Sequence, residues 1–133
     1  MAQLHSRRQK DANFINSTAI SATSANSASF DLGQLQGGTI EEVQLEVSIP
    51  AVAGITDAKV LTFTLQDSAD NVNFTAVDPA VSTTVTGASG QGTPAKVVEM
   101  RLPVATRRYV RIAQVASATP GTVSGSFGTA LLF

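Results

Sequence analysis

The sequence predicts an all-β protein, a jelly-roll-like antiparallel sandwich of about eight strands preceded by an extended N-terminal arm. Three observations carry that expectation. Short segments repeatedly alternate apolar and polar residues with a period of two, which places apolar side chains on one face of a sheet. Clusters of Gly, Pro, Asn and Asp separate these segments. No stretch keeps a helical period beyond about two turns. Eight or nine short strands at such spacing argue for a sandwich or barrel, and a jelly roll fits the strand number.

Residues 1–16 read as an arm and residues 17–133 as one β-sandwich domain. Within the arm, Phe14 and Ile15 form the first pair able to anchor in a core or on a partner. The segment from Asn16 to Ser29 is dominated by Ser, Ala, Thr and Asn, a linker-like composition, yet Thr18, Ile20 and Ala22 alternate as a weak edge strand would. Ala28, Phe30 and Leu32 then alternate cleanly up to Gly33. Val43, Leu45, Val47 and Ile49 form the clearest strand, ended by Pro50, which lacks a ladder donor. The stretch LTFTLQDSADNVNFTAV, Leu61–Val77, reads as strand, polar turn and returning strand, with the turn beginning at Asp67. Val81, Thr83 and Val85 continue the pattern, and GASGQGTP at Gly87–Pro94 is an unambiguous loop. Strands follow over Lys96–Leu102, Arg107–Val115 and Val123–Leu131, the last with Gly125 at a bulge or close approach.

Composition narrows the chemistry. The chain has 133 residues, enough to bury roughly 65–70% of its unfolded surface in one domain. Only 14% of residues are charged, against about 25% in average soluble domains, which suits a body that packs against neighbours. Cysteine is absent and His5 is the single histidine, which leaves almost no room for zinc catalysis, a Ser-His-Asp triad or a Cys-His pair. No apolar run approaches the ~20 residues of a membrane span, and MAQLHSRRQKDANF has no signal-peptide core. A soluble protein made in the cytoplasm of its producing cell, with no membrane contact, is therefore expected.

Four local groupings invite chemical readings. Asp67, Asp70, Asn71 and Asn73 offer oxygen ligands of the kind calcium prefers but lack the spacing of a calcium loop, so they read as a hairpin turn. Glu41 and Glu42 are adjacent and would face opposite sides of a strand, so they nominate no acid–base pair. GASGQG has no following Lys-Ser/Thr and no predicted helix, which removes a phosphate-cradling role. Tryptophan is absent and Tyr109 is the lone tyrosine, which weakens a sugar-stacking reading. No catalytic residue, cofactor or metal site is expected, and the protein reads as a non-enzyme.

Basic residues give two candidate contact regions. Arg7, Arg8 and Lys10 sit in the arm, and the rest of the chain holds six basic against ten acidic residues. On a strand, Arg107, Tyr109 and Arg111 share a face, a residue mix enriched at interface hot spots that could take an acidic partner. The competing reading is cross-strand pairing with the preceding strand, which carries Glu99 and Arg101. Nucleic-acid binding is not expected of a net acidic body with few aromatics.

Three stretches together resemble the capsid cement, or decoration, proteins of short-tailed phages: LTFTLQDSADNVNFTAV, MRLPVATRRYVRIA and TPGTVSGSFGTALLF. FDLG at Phe30–Gly33 is similar to a short motif near the start of that family's domain, so the resemblance covers Ser29–Phe133. Where the family's polar turn often carries Gly, this chain has Asp70–Asn71, which can take the same conformation. The resemblance implies a jelly roll on the outer surface of a phage head, in the virion. It implies a symmetric homo-oligomer, dimer or trimer, that bridges neighbouring copies of the major capsid protein against internal DNA pressure. On this reading Arg7, Arg8 and Lys10 meet acidic groups on the shell, Phe14 and Ile15 anchor the arm, and Leu131–Phe133 packs in the fold or at the oligomer contact. The alternative is a receptor- or carbohydrate-binding module of a virion fibre or tail.

Overall fold

A computed structural model describes residues 10–34 and 43–132. Among these residues lie ten strands: β1 (Lys10–Ala19), β2 (Ser24–Asn26), β3 (Phe30–Asp31), β4 (Gln44–Ile49), β5 (Val60–Ser68), β6 (Thr75–Ala76), β7 (Ser82–Thr86), β8 (Lys96–Arg101), β9 (Tyr109–Ala116) and β10 (Ser126–Leu132). A single 3₁₀ turn, Leu32–Gln34, is the only helical element among the described residues.

One sheet runs β1-β10-β4-β8 and the other β2-β9-β5-β6, with β3 also on β9 and β7 also on β5. Every pairing is antiparallel. Because β2 and β3 share one neighbour, and β6 and β7 share another, the ten segments fill eight strand positions. Numbered by position, the sheets read 1-8-3-6 and 2-7-4-5, the strand order of a jelly roll with its two Greek keys. The expected architecture is the observed one.

Alternation in the sequence becomes burial in the sandwich. Leu45, Val47 and Ile49 of β4 are buried while Gln44, Glu46 and Ser48 between them are not. Leu61, Phe63 and Leu65 of β5 do the same from the facing sheet. The two layers meet where Phe63 of β5 and Phe127 of β10 pack edge to face, with centroids 5.2 Å apart, a preferred aromatic geometry. β10 lies between β1 and β4; Leu131 is in the core beside Leu45, Leu132 is buried opposite Gln44, and Phe133 lies outside the described residues.

Three boundaries differ from the sequence reading. The arm expected over residues 1–16 overlaps β1, which begins at Lys10 and pairs with β10. Its residues Ile15, Ser17 and Ala19 are exposed and Asn16 and Thr18 only half-buried, so this edge strand shows no apolar alternation. β5 runs on through Asp67 and Ser68, both buried, so the turn starts two residues later than expected and the returning strand β6 keeps only two residues. β9 begins at Tyr109 rather than Arg107, because the Arg107 backbone N–H donates to the Asp67 carboxylate and not to a ladder.

Candidate functional site

The chemistry of the body gathers where the chain enters β9. β9 is flanked by β5 on one side and by β2 and β3 on the other, so its first residues reach carboxylates on both. Arg107 closes onto Asp67 of β5: its backbone N–H donates to Oδ2 at 2.9 Å, and Nε and Nη2 donate to Oδ1 at 3.1 and 2.7 Å. The same Nη2 also donates to the Asp67 carbonyl and to Thr75 Oγ1. Burial pushes the Asp67 carboxyl up, but the Arg107 hydrogen bonds outweigh it and hold the group below the usual carboxylate range.

Arg108 turns the other way, to β3. Its Nε and Nη2 donate to the two oxygens of Asp31 at 2.7 and 2.9 Å, the bidentate fork that suits a guanidinium. These hydrogen bonds lower the Asp31 carboxyl below its ordinary value. Asp31 Oδ1 also accepts from the Gly33 N–H, and a Cβ at position 33 would lie 2.7 Å from Arg108 Nε. The FDLG motif is thus a carboxylate, a tight turn and a gap sized for an arginine.

Arg111 is arranged differently. Its guanidinium lies over the Phe74 ring at 4.0 Å and Nε donates to Gln66 Oε1 at 2.9 Å. Among the described residues no carboxylate is in hydrogen-bond contact with it. The side chain is half-buried, and desolvation lowers its pKa.

The predicted stripe therefore divides. Tyr109 and Arg111 do share the outer face of the six-stranded sheet, opposite Ser68 and Gln66. Arg107 stands before the strand and is spent on Asp67. The cross-strand alternative had the right chemistry and the wrong neighbour, since Glu99 and Arg101 belong to β8 in the other sheet. Asp31, Asp67 and Phe74 are the partners sequence reasoning missed. Only the opposition of Asp67 to Val110 and of Asp31 to Tyr109, a matter of register, brings them here.

The other predicted residues disperse. Arg7 and Arg8 lie outside the described residues. Lys10 and Phe14 belong to β1, and Ile15, half-exposed, sits opposite Ala130 on the outer face of the four-stranded sheet. Among the side chains described, the aromatic rings of Phe74 and Tyr109 are half-buried, with Arg111 over the Phe74 ring and Arg108 over the Tyr109 ring.

The polar turn after β5 is closed on itself. Asp70 accepts from the backbone N–H groups of Asn73 and Val72, from Ser68 Oγ and from Asn73 Nδ2. Those bonds hold its carboxyl far below the usual range. Asn71 takes φ of 61°, the left-handed conformation expected at this place. Among the described residues no group of three or more His, Cys, Asp or Glu side chains converges as a metal site would. In the glycine loop the Gly90 N–H is already taken by Asp57, so that loop offers no free backbone cradle there. Surface depressions among the described residues include a groove of about 730 Å³ beside Pro79, Leu102 and Val104 and one of about 430 Å³ along the glycine loop. The first has Asp78 and Arg101 among its apolar lining, and the second is lined by no Asp, Glu, His, Lys or Arg.

Comparison with known proteins gives one family. Among solved structures, the infectious bursal disease virus VP2 subviral particle is similar, with a TM-score of 0.41 and 12% identity over 95% of this chain. The alignment spans only 30% of that longer chain, and the jelly-roll assignment above rests on strand order alone. No curated protein matches. The family model described as Bbp16 matches residues 14–131, nearly the whole sandwich. The chain belongs to the Bbp16 family.

Proposed function

We propose that this protein is a capsid cement protein that binds the outer surface of a phage head and bridges major capsid proteins. The observation that carries the reading is a coincidence of motif and fold. The three stretches that resemble cement proteins make up β5–β6, the approach to β9 with β9 itself, and β10 with the turn before it, all integral parts of one jelly roll.

The physics of the body supports the role. A cement protein needs a stiff block and contacts that are modest individually, because many copies on an icosahedral lattice convert weak contacts into firm attachment. The paired arginines spend their charge on carboxylates of the block itself: Arg107 ties the loop before β9 to β5 and Arg108 ties it to β3. The body is a homo-oligomer on this reading, and Arg7 and Arg8 add positive charge for acidic groups on the shell. It acts in the virion, without catalysis or cofactor. The scarcity of exposed aromatics removes the usual support for the sugar-binding alternative.

Co-sedimentation with purified heads lacking the protein tests the proposal. Saturable binding to heads, together with retention of DNA to higher temperature, is the expected result. Binding to isolated tails but not to heads would overturn it in favour of the fibre reading.

A further inference from the structure

One end of the four-stranded sheet is a row that leads from the first described residue to a groove. Lys10 of β1 stands opposite Leu132 of β10, Leu132 opposite Gln44 of β4, and Gln44 opposite Arg101 of β8. The groove of about 730 Å³ begins at Arg101 and is lined by Leu102–Ala105 and by Asp78, Pro79 and Val81 from the chain between β6 and β7. Its apolar surface is open to solvent, most of all at Val104, which is 76% exposed.

Leu132 bears on what crosses that row. Leu131 points into the core, so Leu132 points to the outer face of the sheet, yet it is only 2% exposed. The outer face is therefore covered at the end where β1 begins. Ile15 and Val97, exposed on the same face, stand one and two rows further in, opposite Ala130 and Ser48, so the cover does not extend to them.

Residues 1–9 enter this row at Lys10, and their length and order of residue types suit it. Neighbouring strands lie about 4.8 Å apart, so Arg101 is about 14 Å across the sheet from Lys10, while nine extended residues span about 30 Å. On an extended path along the row, Arg7 and Arg8 come over Leu132 and Gln44, short of the like charge of Arg101 and on the side where Glu99 is exposed. Leu4 comes about 20 Å from Lys10, at the groove. Residues 1–4, Met-Ala-Gln-Leu, carry no charged side chain, and the groove is apolar apart from Arg101 and Asp78. A depression of that size takes a short extended segment rather than one side chain.

We propose that residues 1–4 dock in the groove beside Pro79, Leu102 and Val104 of the same molecule, with Leu4 as the apolar anchor and with Arg7 and Arg8 laid beside Glu99. The N-terminal segment is then a strap across the end of the sandwich that holds its two arginines at fixed places on the outer face of the four-stranded sheet. The inference stands independently of the cement role.

Cysteine pairs test it, because the chain has no cysteine of its own. In the full-length protein, Leu4→Cys with Val104→Cys is compared with Leu4→Cys with Val97→Cys. Both valines are exposed and both lie within about 30 Å of Lys10, in reach of an undocked segment. Thermal melts show that each variant is folded. In a glutathione buffer the 4–104 pair is expected to close within one chain with an effective concentration at least about tenfold above that of the 4–97 pair. Adding Arg7→Glu and Arg8→Glu is expected to lower that ratio several-fold. Equal closure of the two pairs overturns the inference. So does a 4–104 disulfide that joins two chains, which makes the groove a contact between copies, or preferential closure of Ile40→Cys with Val104→Cys, which gives the groove to the chain before β4. An unchanged ratio in the charge-reversed variant overturns the placement of the arginines. None of these outcomes touches the head-binding test of the cement role.

Discussion

Asp67 shows how one residue can change meaning between sequence and structure. In the sequence it opens a polar cluster that resembles an incomplete calcium loop; in the fold it is 5% exposed and receives three hydrogen bonds from Arg107 on its carboxylate. Its folded pKa lies below the unfolded value, so its contribution to stability is fully present above the unfolded carboxyl value of about 3.9. It is lost as the pH falls through the folded value. Asp67→Asn is expected to cost about 1–2 kcal/mol at pH 7, the lower part of the range for charged hydrogen bonds because Arg107 is partly solvated. In urea melts the gap between wild type and variant should shrink as the pH drops below about 4; a gap independent of pH would refute this account. The sequence marked Asp67 as polar and special. It did not reveal the partner, which lies 40 residues away.

At the scale of the element, the glycine loop between β7 and β8 is legible as a loop and opaque as a contact. Gly90 and Gly92 both take positive φ, 68° and 73°. A Cβ at Gly90 would meet nothing within 4 Å, whereas at Gly92 it would lie 2.0 Å from the Val52 carbonyl oxygen. That carbonyl accepts from Thr93 in the two-way bridge that pins the loop to the segment after β4. Gly90→Ala should therefore cost about 1 kcal/mol, the left-handed penalty alone. Gly92→Ala should cost clearly more, about 3 kcal/mol, because the bridge must open as well. Thermal melts of the two variants compare them directly, and equal losses would show that the close approach is tolerated. The same limit applies to β1, whose edge position lets it form on backbone pairing with little apolar signature.

At the scale of the whole molecule, two polar side chains sit in the core with opposite consequences. Gln114 is fully buried, and its amide both accepts from the Ser21 N–H and donates to the Ser21 carbonyl. It thereby stands in for a neighbouring strand where the chain crosses from β1 to β2, one sheet to the other. Thr129 Oγ is buried on β10 with no hydrogen-bond partner. Gln114→Leu should destabilise by about 1–3 kcal/mol although it adds an apolar group to an apolar core, and Thr129→Val should stabilise by about 1 kcal/mol. Denaturant unfolding reads both signs; a stabilising Gln114→Leu would mean that the crossing needs no such tie.

The amino-acid pattern by itself determined the all-β class, the main strands and the jelly-roll expectation, because a period of two is a local property that survives without knowledge of neighbours. Leu45-Val47-Ile49 and Leu61-Phe63-Leu65 needed no partner to be read as one-sided strands. The tertiary structure alone decided which arginines hold a carboxylate and which is held by an amide and a ring. Arg107, Arg108 and Arg111 are equivalent in a string of residues. They separate only because antiparallel register sets Asp67 and Asp31 beside β9's entry and leaves Gln66 and Phe74, with no carboxylate, beside Arg111.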